Sequence, residues 1–444
     1  MLSFRINRAS WRPVIFIAGI TLFGGISQTV EAVGLTLPQA IGIAVQGNRD
    51  LQAARYIVEV ARARLLQAGL PPNPRLNLGG SNDFLFNNAG EYVANVGISQ
   101  QFPVAGRIAR QKDVARVDIA LALTEIGQAE RNLAGEVAKR FYQVLVLDRQ
   151  IQLRDRLTGI DKNLVKVTRD RFRVAEVSEL DVNTAQLELQ RLVQERALLQ
   201  NQRALQWAQL NQLLGRPSGM LLSLEDVLPP TSSPLPPLNE ELDQALALRP
   251  DLRAALLSAD RAQADLALAK AQRWEDWTVS VGLEQGRRVI EGAPPQSSDR
   301  LLGVTLSIPL PLLNKNQGRI AEASASGSQA QVRIEALKLS ISNDVSSAYS
   351  EAERLRAAVQ QYEDGMLQLS DRNVRLAQQG YNMGQTPILA VVQAQRQQSD
   401  LYIAYQNTLS QYLQALVALH TAVSDYAGRT LPSEPNTDRS IKGN

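Results

Sequence analysis

The 444-residue chain contains no cysteine and only one histidine, and these two absences exclude several classes of site. Without cysteine the chain has no disulfide framework, no thiolate zinc site, no iron–sulfur ligation and no cysteine nucleophile. With one histidine it has no site built from two imidazoles. Aromatic residues are also scarce, at 5% of the chain. The composition is therefore not that of a metalloenzyme or a redox protein, and we expect no cofactor.

The small basic excess of the chain, a formal charge of +3, lies mostly at its N-terminus. Three arginines precede an apolar run, Val14–Ile26, and small and polar residues lead to Ala32. This order predicts a cleaved secretory signal peptide, residues 1–32. An uncleaved anchor is the less favoured alternative, because the apolar run is shorter than the ~20 residues of a bilayer span. Cleavage removes three arginines and one glutamate and leaves a charge of +1, so we expect no nucleic-acid partner.

The rest of the chain repeats itself at an offset of about 200 residues. Phe102-Pro103 matches Ile308-Pro309, for example, and Phe172 matches Tyr381. An interval this long is not that of a solenoid unit and indicates a duplicated structural half. Between the halves lies a proline-rich, extended linker, and polar residues after Tyr426 are typical of disorder. The predicted units are a first repeat at 35–217, a linker at 218–237, a second repeat at 238–425 and a disordered tail at 426–444.

Each repeat is predicted to contain a helix, two strands and two further helices. The first helices are predicted to be continuous, from Thr36 to Gly69 and from about Asn239 to Arg273. The strands alternate apolar and small or polar residues, as in Trp277–Glu284. Such strands suit either a half-solvated sheet or the wall of a membrane β-barrel. Because four strands in over 400 residues would leave unprotected sheet edges, the barrel is favoured.

The later helices are unusually long. From about Gly106 to Arg173 the proline-free sequence predicts one helix of nearly 70 residues, about 100 Å long. Apolar residues recur along it at steps of three and four, which predicts a coiled-coil seam. The charged residues between them are expected on solvated faces. The seam residues are Leu133, Val137, Phe141, Val144, Leu147, Ile151 and Leu153.

The sequence lacks the signals of an enzyme. It has no phosphate-binding loop, no GxSxG motif and no paired carboxylates attached to a pocket. The single histidine, His420, lies within a helical pattern and is expected on a helix face. A periplasmic coiled-coil scaffold or an adaptor would explain the helices, but it would not explain strands at matched places in each repeat.

Three motifs stand out, one of them in two copies. The first is Arg171–Val182 with its second copy Gly380–Leu389, the second is Gln100–Arg107, and the third is Leu306–Arg319. Their order along the chain, together with the duplication, resembles that of the TolC-type outer-membrane efflux channels over roughly residues 35–425. The second and third motifs, together with Pro72-Asn73-Pro74, look most like the heavy-metal branch of that family, the cobalt–zinc–cadmium type.

The resemblance implies a mainly α fold with a small β part, assembled as a homotrimer. Each chain would give four strands to one twelve-stranded transmembrane β-barrel and its helices to a long coiled-coil barrel in the periplasm. The expected location is the outer membrane of a Gram-negative-type bacterium. The expected partners are outer-membrane lipid, a periplasmic adaptor and an inner-membrane pump. The expected function is a passive exit duct for heavy-metal cations; the alternatives are drugs or other small molecules, or type I protein secretion.

The resemblance also assigns candidate site residues. Adaptor docking falls at the two hairpin tips, at Arg173, Val174, Ala175, Glu176 and Val177 and at Met383, Gly384, Gln385, Thr386 and Pro387. Ala175 stands where relatives often carry glycine. The acidic entrance ring of well-known members corresponds to Ala390 and Gln393, so we expect a neutral constriction, with Asp181 as a nearby carboxylate. Proline ends a strand ladder without needing an amide donor, so Pro103, Pro309 and Pro311 are predicted strand–helix joints.

Overall fold

The computed structural model describes residues 34–85, 90–220, 223–225, 228–229, 231–290, 292–294 and 296–424. The predicted signal peptide, residues 1–32, and the predicted tail, residues 426–444, lie outside the described residues. Most of the described chain is helical, and four strands form one sheet. The mainly α architecture with a small β part is therefore confirmed.

The first helix of each repeat is broken in two, so the prediction of continuous helices was wrong. Asn48 interrupts the first, because its side chain accepts a hydrogen bond from Leu51 N at 2.9 Å and starts a new helix. Arg249 interrupts the second, because proline at position 250 disfavours the helical conformation in the residue before it. The resulting helices are α1 (Leu37–Gly47), α2 (Arg49–Ala68), α5 (Leu238–Leu248) and α6 (Pro250–Ala271).

The sheet joins the two repeats through its central pair of strands. It is antiparallel in the order β1-β2-β3-β4, so β1 and β4 are its edges. The register places Ile98 beside both Leu76 and Val281, and Val281 beside Val304, on one apolar face. This face is open to solvent, since Leu76 is 65% exposed and Val304 69%. The strands are β1 (Arg75–Asn82), β2 (Tyr92–Phe102), β3 (Trp277–Arg287) and β4 (Asp299–Ser307).

Two helical hairpins extend far from the sheet. The longest helix has 67 residues, about 100 Å, as the sequence predicts. In the second repeat a π-helical turn, Tyr362–Met366, interrupts the corresponding helix, and Gly365 within it has a φ of 131°. The absence of proline in this region does not signal such a break. The remaining helices are α3 (Arg107–Arg173), α4 (Glu179–Leu213), α7 (Gln317–Gln361), α8 (Leu367–Asn382) and α9 (Ile388–Val423).

The helices next to the sheet follow the order of the strands. α2 packs on α3, α3 on α6 and α6 on α7. Farther along, α1, α3 and α4 enclose an apolar core around Val137, Phe141, Trp207 and Leu210. Within the described ranges, no helix is both long enough and apolar enough to cross a membrane.

Candidate functional site at the two hairpin ends

The α3–α4 hairpin turns through a backbone motif that normally needs glycine. Ala175 has a φ of 59°, in the left-handed region. Its N–H donates to the Phe172 carbonyl at 2.9 Å, and Glu176 N–H donates to the Arg171 carbonyl at 2.9 Å. These are the two bonds of a Schellman motif. The Cβ of Ala175 makes this conformation less favourable than it would be for glycine.

The α8–α9 hairpin makes the same turn with glycine. Gly384 has a φ of 72°. Its N–H donates to the Tyr381 carbonyl at 3.0 Å, and Gln385 N–H donates to the Gly380 carbonyl at 2.8 Å. The two turns therefore share one hydrogen-bonding pattern, although one carries alanine and the other glycine at the left-handed position.

The helices that follow the two turns begin differently. Ser178 and Asp181 form a capping box on α4: Ser178 N–H donates to Asp181 Oδ2 at 2.9 Å, and Asp181 N–H donates to Ser178 Oγ at 3.3 Å. The carboxylate of Asp181 is thus committed to the start of its own helix. Pro387 precedes α9 and makes no side-chain cap. The hydroxyl of Thr386 donates instead to the Ala377 carbonyl at 3.3 Å.

Arg171 joins the two hairpin ends. Its Nη1 donates to the Tyr381 carbonyl at 2.9 Å, and its guanidinium lies over the Tyr381 ring, 4.9 Å from the ring centre. Its Nε donates to Glu176 Oε2 at 3.0 Å. The Tyr381 hydroxyl lies 3.2 Å from Thr168 Oγ1, at a fully buried position. One tyrosine on α8 is therefore held by two residues of α3.

The ten predicted docking residues lie at these turns, and most are exposed. Val174 and Met383 are 66% and 64% exposed, whereas Val177 and Thr386 are half-buried. The first end carries charge, and Arg173 pairs with Asp170 at 3.2 Å. The second end carries none, because no charged residue occurs between Arg375 and Arg396.

The predicted entrance residues lie on two different helices, Ala390 and Gln393 on α9 and Asp181 on α4. Ala390 is half-buried and Gln393 is exposed, three residues apart on α9. Asp181 belongs to the cap of α4 and does not stand as an unengaged carboxylate.

The predicted joints lie where strands give way to helices. Pro103 directly follows β2, and Pro309 and Pro311 lie in the segment between β4 and α7. At the end of the sheet nearest the helices, Phe102 and Trp277 are register partners on the apolar face, 51% and 42% exposed.

The buried seam of α3 becomes polar towards the hairpin end, which the sequence prediction missed. Arg154 is 4% exposed and Asp161 is 2% exposed, although charged residues were expected on solvated faces. A signal for them exists in the sequence. The three- and four-residue steps from Leu133 to Ile151 continue in register to these positions. We call the following residues the polar seam: Arg154, Thr158, Asp161, Val165 and Thr168.

Two neighbouring helices supply partners to the polar seam. Arg154 donates to Ser399 Oγ on α9 at 2.9 Å. On α4, Glu195 pairs with Arg154 at 2.9 Å.

A separate buried contact joins α4 to α9. Glu188 of α4 is 2% exposed and accepts from Arg191 and, at 2.9 Å, from Arg396 of α9. Burial alone would raise the pKa of Glu188, but the hydrogen bonds from the two arginines outweigh it, and the pKa lies below its ordinary value.

Known proteins match this chain over both of its repeats. Residues 40–216 and 242–424 match the family described as outer membrane efflux protein. The cobalt-zinc-cadmium resistance protein CzcC of Cupriavidus metallidurans is 24% identical over 88% of this chain and 90% of its own length. The pyoverdine export outer membrane protein OpmQ of Pseudomonas putida is 27% identical over 87% and 85%. A crystal structure of CusC superposes with a TM-score of 0.70 at 20% identity, covering 88% of this chain and 92% of that one.

Proposed function

The chain belongs to the outer membrane efflux protein family, and we propose that it is the outer-membrane exit duct of a tripartite efflux system. The observation that carries this proposal is the sheet, which has one exposed apolar face, two edge strands and long helices attached to it, one of them about 100 Å long. Three copies would place the apolar face in lipid and close the edges into a twelve-stranded barrel. Such a duct catalyses no reaction and lets substrate leave passively.

The surfaces at the two sides of the chain support assembly with further copies. On the side of β1, helix α2 exposes large apolar residues, among them Tyr56 at 71% and Val60 at 47%. On the side of β4, the part of helix α7 nearer the sheet exposes small residues, among them Ala325 and Ser328, and Val332 and Leu339 are exposed farther along it. Large side chains on one face fit small ones on the other, as in close-packed helix pairs. This pairing of unlike surfaces favours a closed ring.

In this assembly the hairpin ends face the periplasm. The exposed tips, residues 173–177 and 383–387, are the surface we propose for the adaptor, which in turn connects the duct to the inner-membrane pump. Ala390 and Gln393 would line a neutral entrance. Residues 1–32 would act as the cleaved export signal, and the repeats at 35–217 and 238–425, joined by the linker at 218–237, would be the duplicated halves of one channel wall.

Heavy-metal cations are the substrate that we favour. The likeness to the cobalt-zinc-cadmium resistance protein spans almost the whole of both chains. The duct itself has few soft ligands, with no cysteine and one histidine, and the described part of the chain holds no group of three or more His, Asp or Glu residues suited to a metal ion. Selection among metals would therefore lie in the pump.

A second candidate substrate is an organic molecule. The pyoverdine export protein is slightly more identical in sequence, at 27% over 431 residues. A polar duct without metal ligands would serve either kind of cargo.

Deletion of the gene tests both candidates. We expect a deletion strain to lose tolerance to zinc, cobalt, cadmium or copper, and the plasmid-borne gene to restore it. Unchanged tolerance to all four metals, with reduced release of an organic product, would favour the second candidate. Fractionation tests the duct itself, since we expect a heat-modifiable protein in the outer membrane. Recovery as a soluble periplasmic protein would refute the barrel.

A further inference from the structure

One contact of the polar seam leaves two buried oxygens without partners. Gln395 of α9 donates from Nε2 to Asp161 Oδ1 of α3 at 2.9 Å. Both residues are buried, at 5% and 2% exposure. The other oxygens of the same two groups, Asp161 Oδ2 and Gln395 Oε1, are also buried, and neither has a hydrogen-bond partner among the described residues. Buried acceptors without partners are rare and unfavourable.

A single proton would satisfy both oxygens. A carboxyl group and a primary amide have matching shapes and can pair through two hydrogen bonds. The single N–H···O bond found here leaves two atoms unused, the second oxygen of the carboxylate and the oxygen of the amide. As two acceptors, these oxygens cannot form a hydrogen bond with each other. A proton on Asp161 Oδ2 makes that atom a donor, and the pair then forms a cyclic arrangement with two hydrogen bonds.

We propose that Asp161 is a proton-binding site that sets how firmly α3 is held against α9 near the hairpin ends. The protonated carboxyl holds Gln395 by two bonds. The ionised carboxylate holds it by one and leaves one buried acceptor without a partner on each helix. If the chain is the exit duct proposed above, acid pH restrains the helices around its entrance, and neutral pH releases them.

The charged groups around Asp161 come from all three helices. On its own helix, Arg154 is engaged by Glu195 at 2.9 Å and Lys162 is exposed. From α4 come Glu188 and Arg191, and from α9 comes Arg396, which binds Glu188. Asp400 of α9 lies near Arg154 and Arg191.

Burial, followed by the Glu188 carboxylate, raises the pKa of Asp161 to about 6, against the opposing effects of the Gln395 hydrogen bond and Arg191. This carboxyl has an ordinary pKa of 3.8. The contact is therefore strongest below pH ~4 and weakens as the pH rises through about 6.

Hydrogen exchange of the full-length protein in detergent tests the proposal directly. The variant Asp161→Asn keeps a two-bond amide–amide pair with Gln395 at every pH, so it mimics the protonated state. We compare backbone exchange over residues 158–170 in the wild type and in this variant at the same pH, which cancels the intrinsic pH dependence of exchange. The ratio of wild-type to variant rates is expected to rise about tenfold between pH 5 and pH 7.5.

Two further variants keep the outcome clear. Gln395→Leu removes the pair, so at pH 5 its exchange, corrected for intrinsic rates, should be faster than that of the wild type. Asp155→Asn changes a half-exposed carboxylate of the same helix, paired with Arg196, and should behave as the wild type. A wild-type to Asp161→Asn ratio that does not change with pH, or a Gln395→Leu protein that exchanges as slowly as the wild type at pH 5, overturns the proposal. Because exchange does not depend on conduction, single-channel recordings of the same samples report separately on the proposed function.

Discussion

The two halves of the α3 coil bury side chains of opposite chemistry. Nearer the sheet, Val137, Phe141 and Val144 are at most 1% exposed within an apolar core. Nearer the hairpin ends, four of the five polar-seam positions from Arg154 to Thr168 carry polar or charged side chains, and the fifth, Val165, joins a small apolar cluster. Apolar packing fixes helices through many non-directional contacts, whereas a polar seam relies on a few directional bonds that a proton or a docking partner can replace. The difference indicates a coil that is fixed at one end and adjustable at the other.

Truncation of the apolar half should have the largest effect. Phe141→Ala removes a 1%-exposed ring from the core and should lower the free energy of opening of α3 by about 3–5 kcal/mol. Hydrogen exchange of the amides around position 141 measures this quantity. Phe172→Ala is the matched control, because its ring is 42% exposed and its effect should stay within about 0.5 kcal/mol. Equal effects of the two substitutions would remove the distinction between a fixed and an adjustable half.

Removal of the Glu188 charge should have a smaller effect, mainly on the contact between α4 and α9. Glu188→Gln weakens the hydrogen bonds from Arg191 and Arg396, and we expect a loss of about 1–3 kcal/mol. The loss is moderate because the side chains of these arginines are 34% and 54% exposed, so they stay solvated. A double-mutant cycle with Arg396→Gln should show coupling. Strict additivity would contradict a direct link between the two helices.

The pH dependence of this link is opposite to that of Asp161. The pKa of Glu188 is lowered in the fold, so its stabilisation is present above its ordinary pKa of 4.5 and is lost as the pH falls through the lowered value. The contacts among α3, α4 and α9 are therefore expected to hold most firmly between the two titrations. Hydrogen exchange of α9 amides in the Asp161→Asn background isolates the effect of Glu188. After correction for intrinsic rates, this exchange should become faster as the pH falls, and exchange that becomes slower towards acid pH would contradict the account.

Exchanging the two turn residues should shift stability in opposite directions. Ala175→Gly relieves a left-handed alanine, and Gly384→Ala creates one, so each should change the local stability of its hairpin end by about 1 kcal/mol, the first upwards and the second downwards. Local hydrogen exchange or limited proteolysis at the turns measures both. A loss of stability in Ala175→Gly would show that its methyl group is needed for packing.

Removal of the cap at the first end should have the smallest effect. Ser178→Ala breaks the capping box and should destabilise the start of α4 by about 0.5–1 kcal/mol. Thr386→Ala at the second end is the counterpart, and since its hydroxyl does not cap α9, the first amides of that helix should exchange at the wild-type rate. Faster exchange of those amides would reveal a capping role for Thr386.

Long-range patterns made the fold predictable, and single residues limited that prediction. The alternation in β3 and the proline-free stretch before Arg173 extend over many residues, so strands and the long helix follow from them. The breaks at Asn48 and Arg249 depend on one cap and one proline within otherwise good helical sequence. The π-helical turn at Gly365 likewise has no signal beyond one glycine.

The candidate site was predictable in position but not in contacts. Both turns were placed from short motifs, yet nothing in those motifs shows that Arg171 reaches across to Tyr381. The burial of Asp161 and Glu188 was missed because a charged residue on a long helix was assigned to solvent. The heptad register of α3 points to Asp161, but its partner Gln395 lies 234 residues away along the chain.

Cysteine cross-linking in cells tests the central claim, a trimeric duct in the outer membrane, most directly. The cysteine-free chain allows one pair of cysteines to be introduced, Val60→Cys on α2 and Ser328→Cys on α7, without background. The account predicts oxidised dimers and trimers, no higher species, and all of them in the outer-membrane fraction; each single variant gives neither product. Monomers only, a ladder that continues beyond three, or cross-linked protein in the soluble periplasm would contradict it.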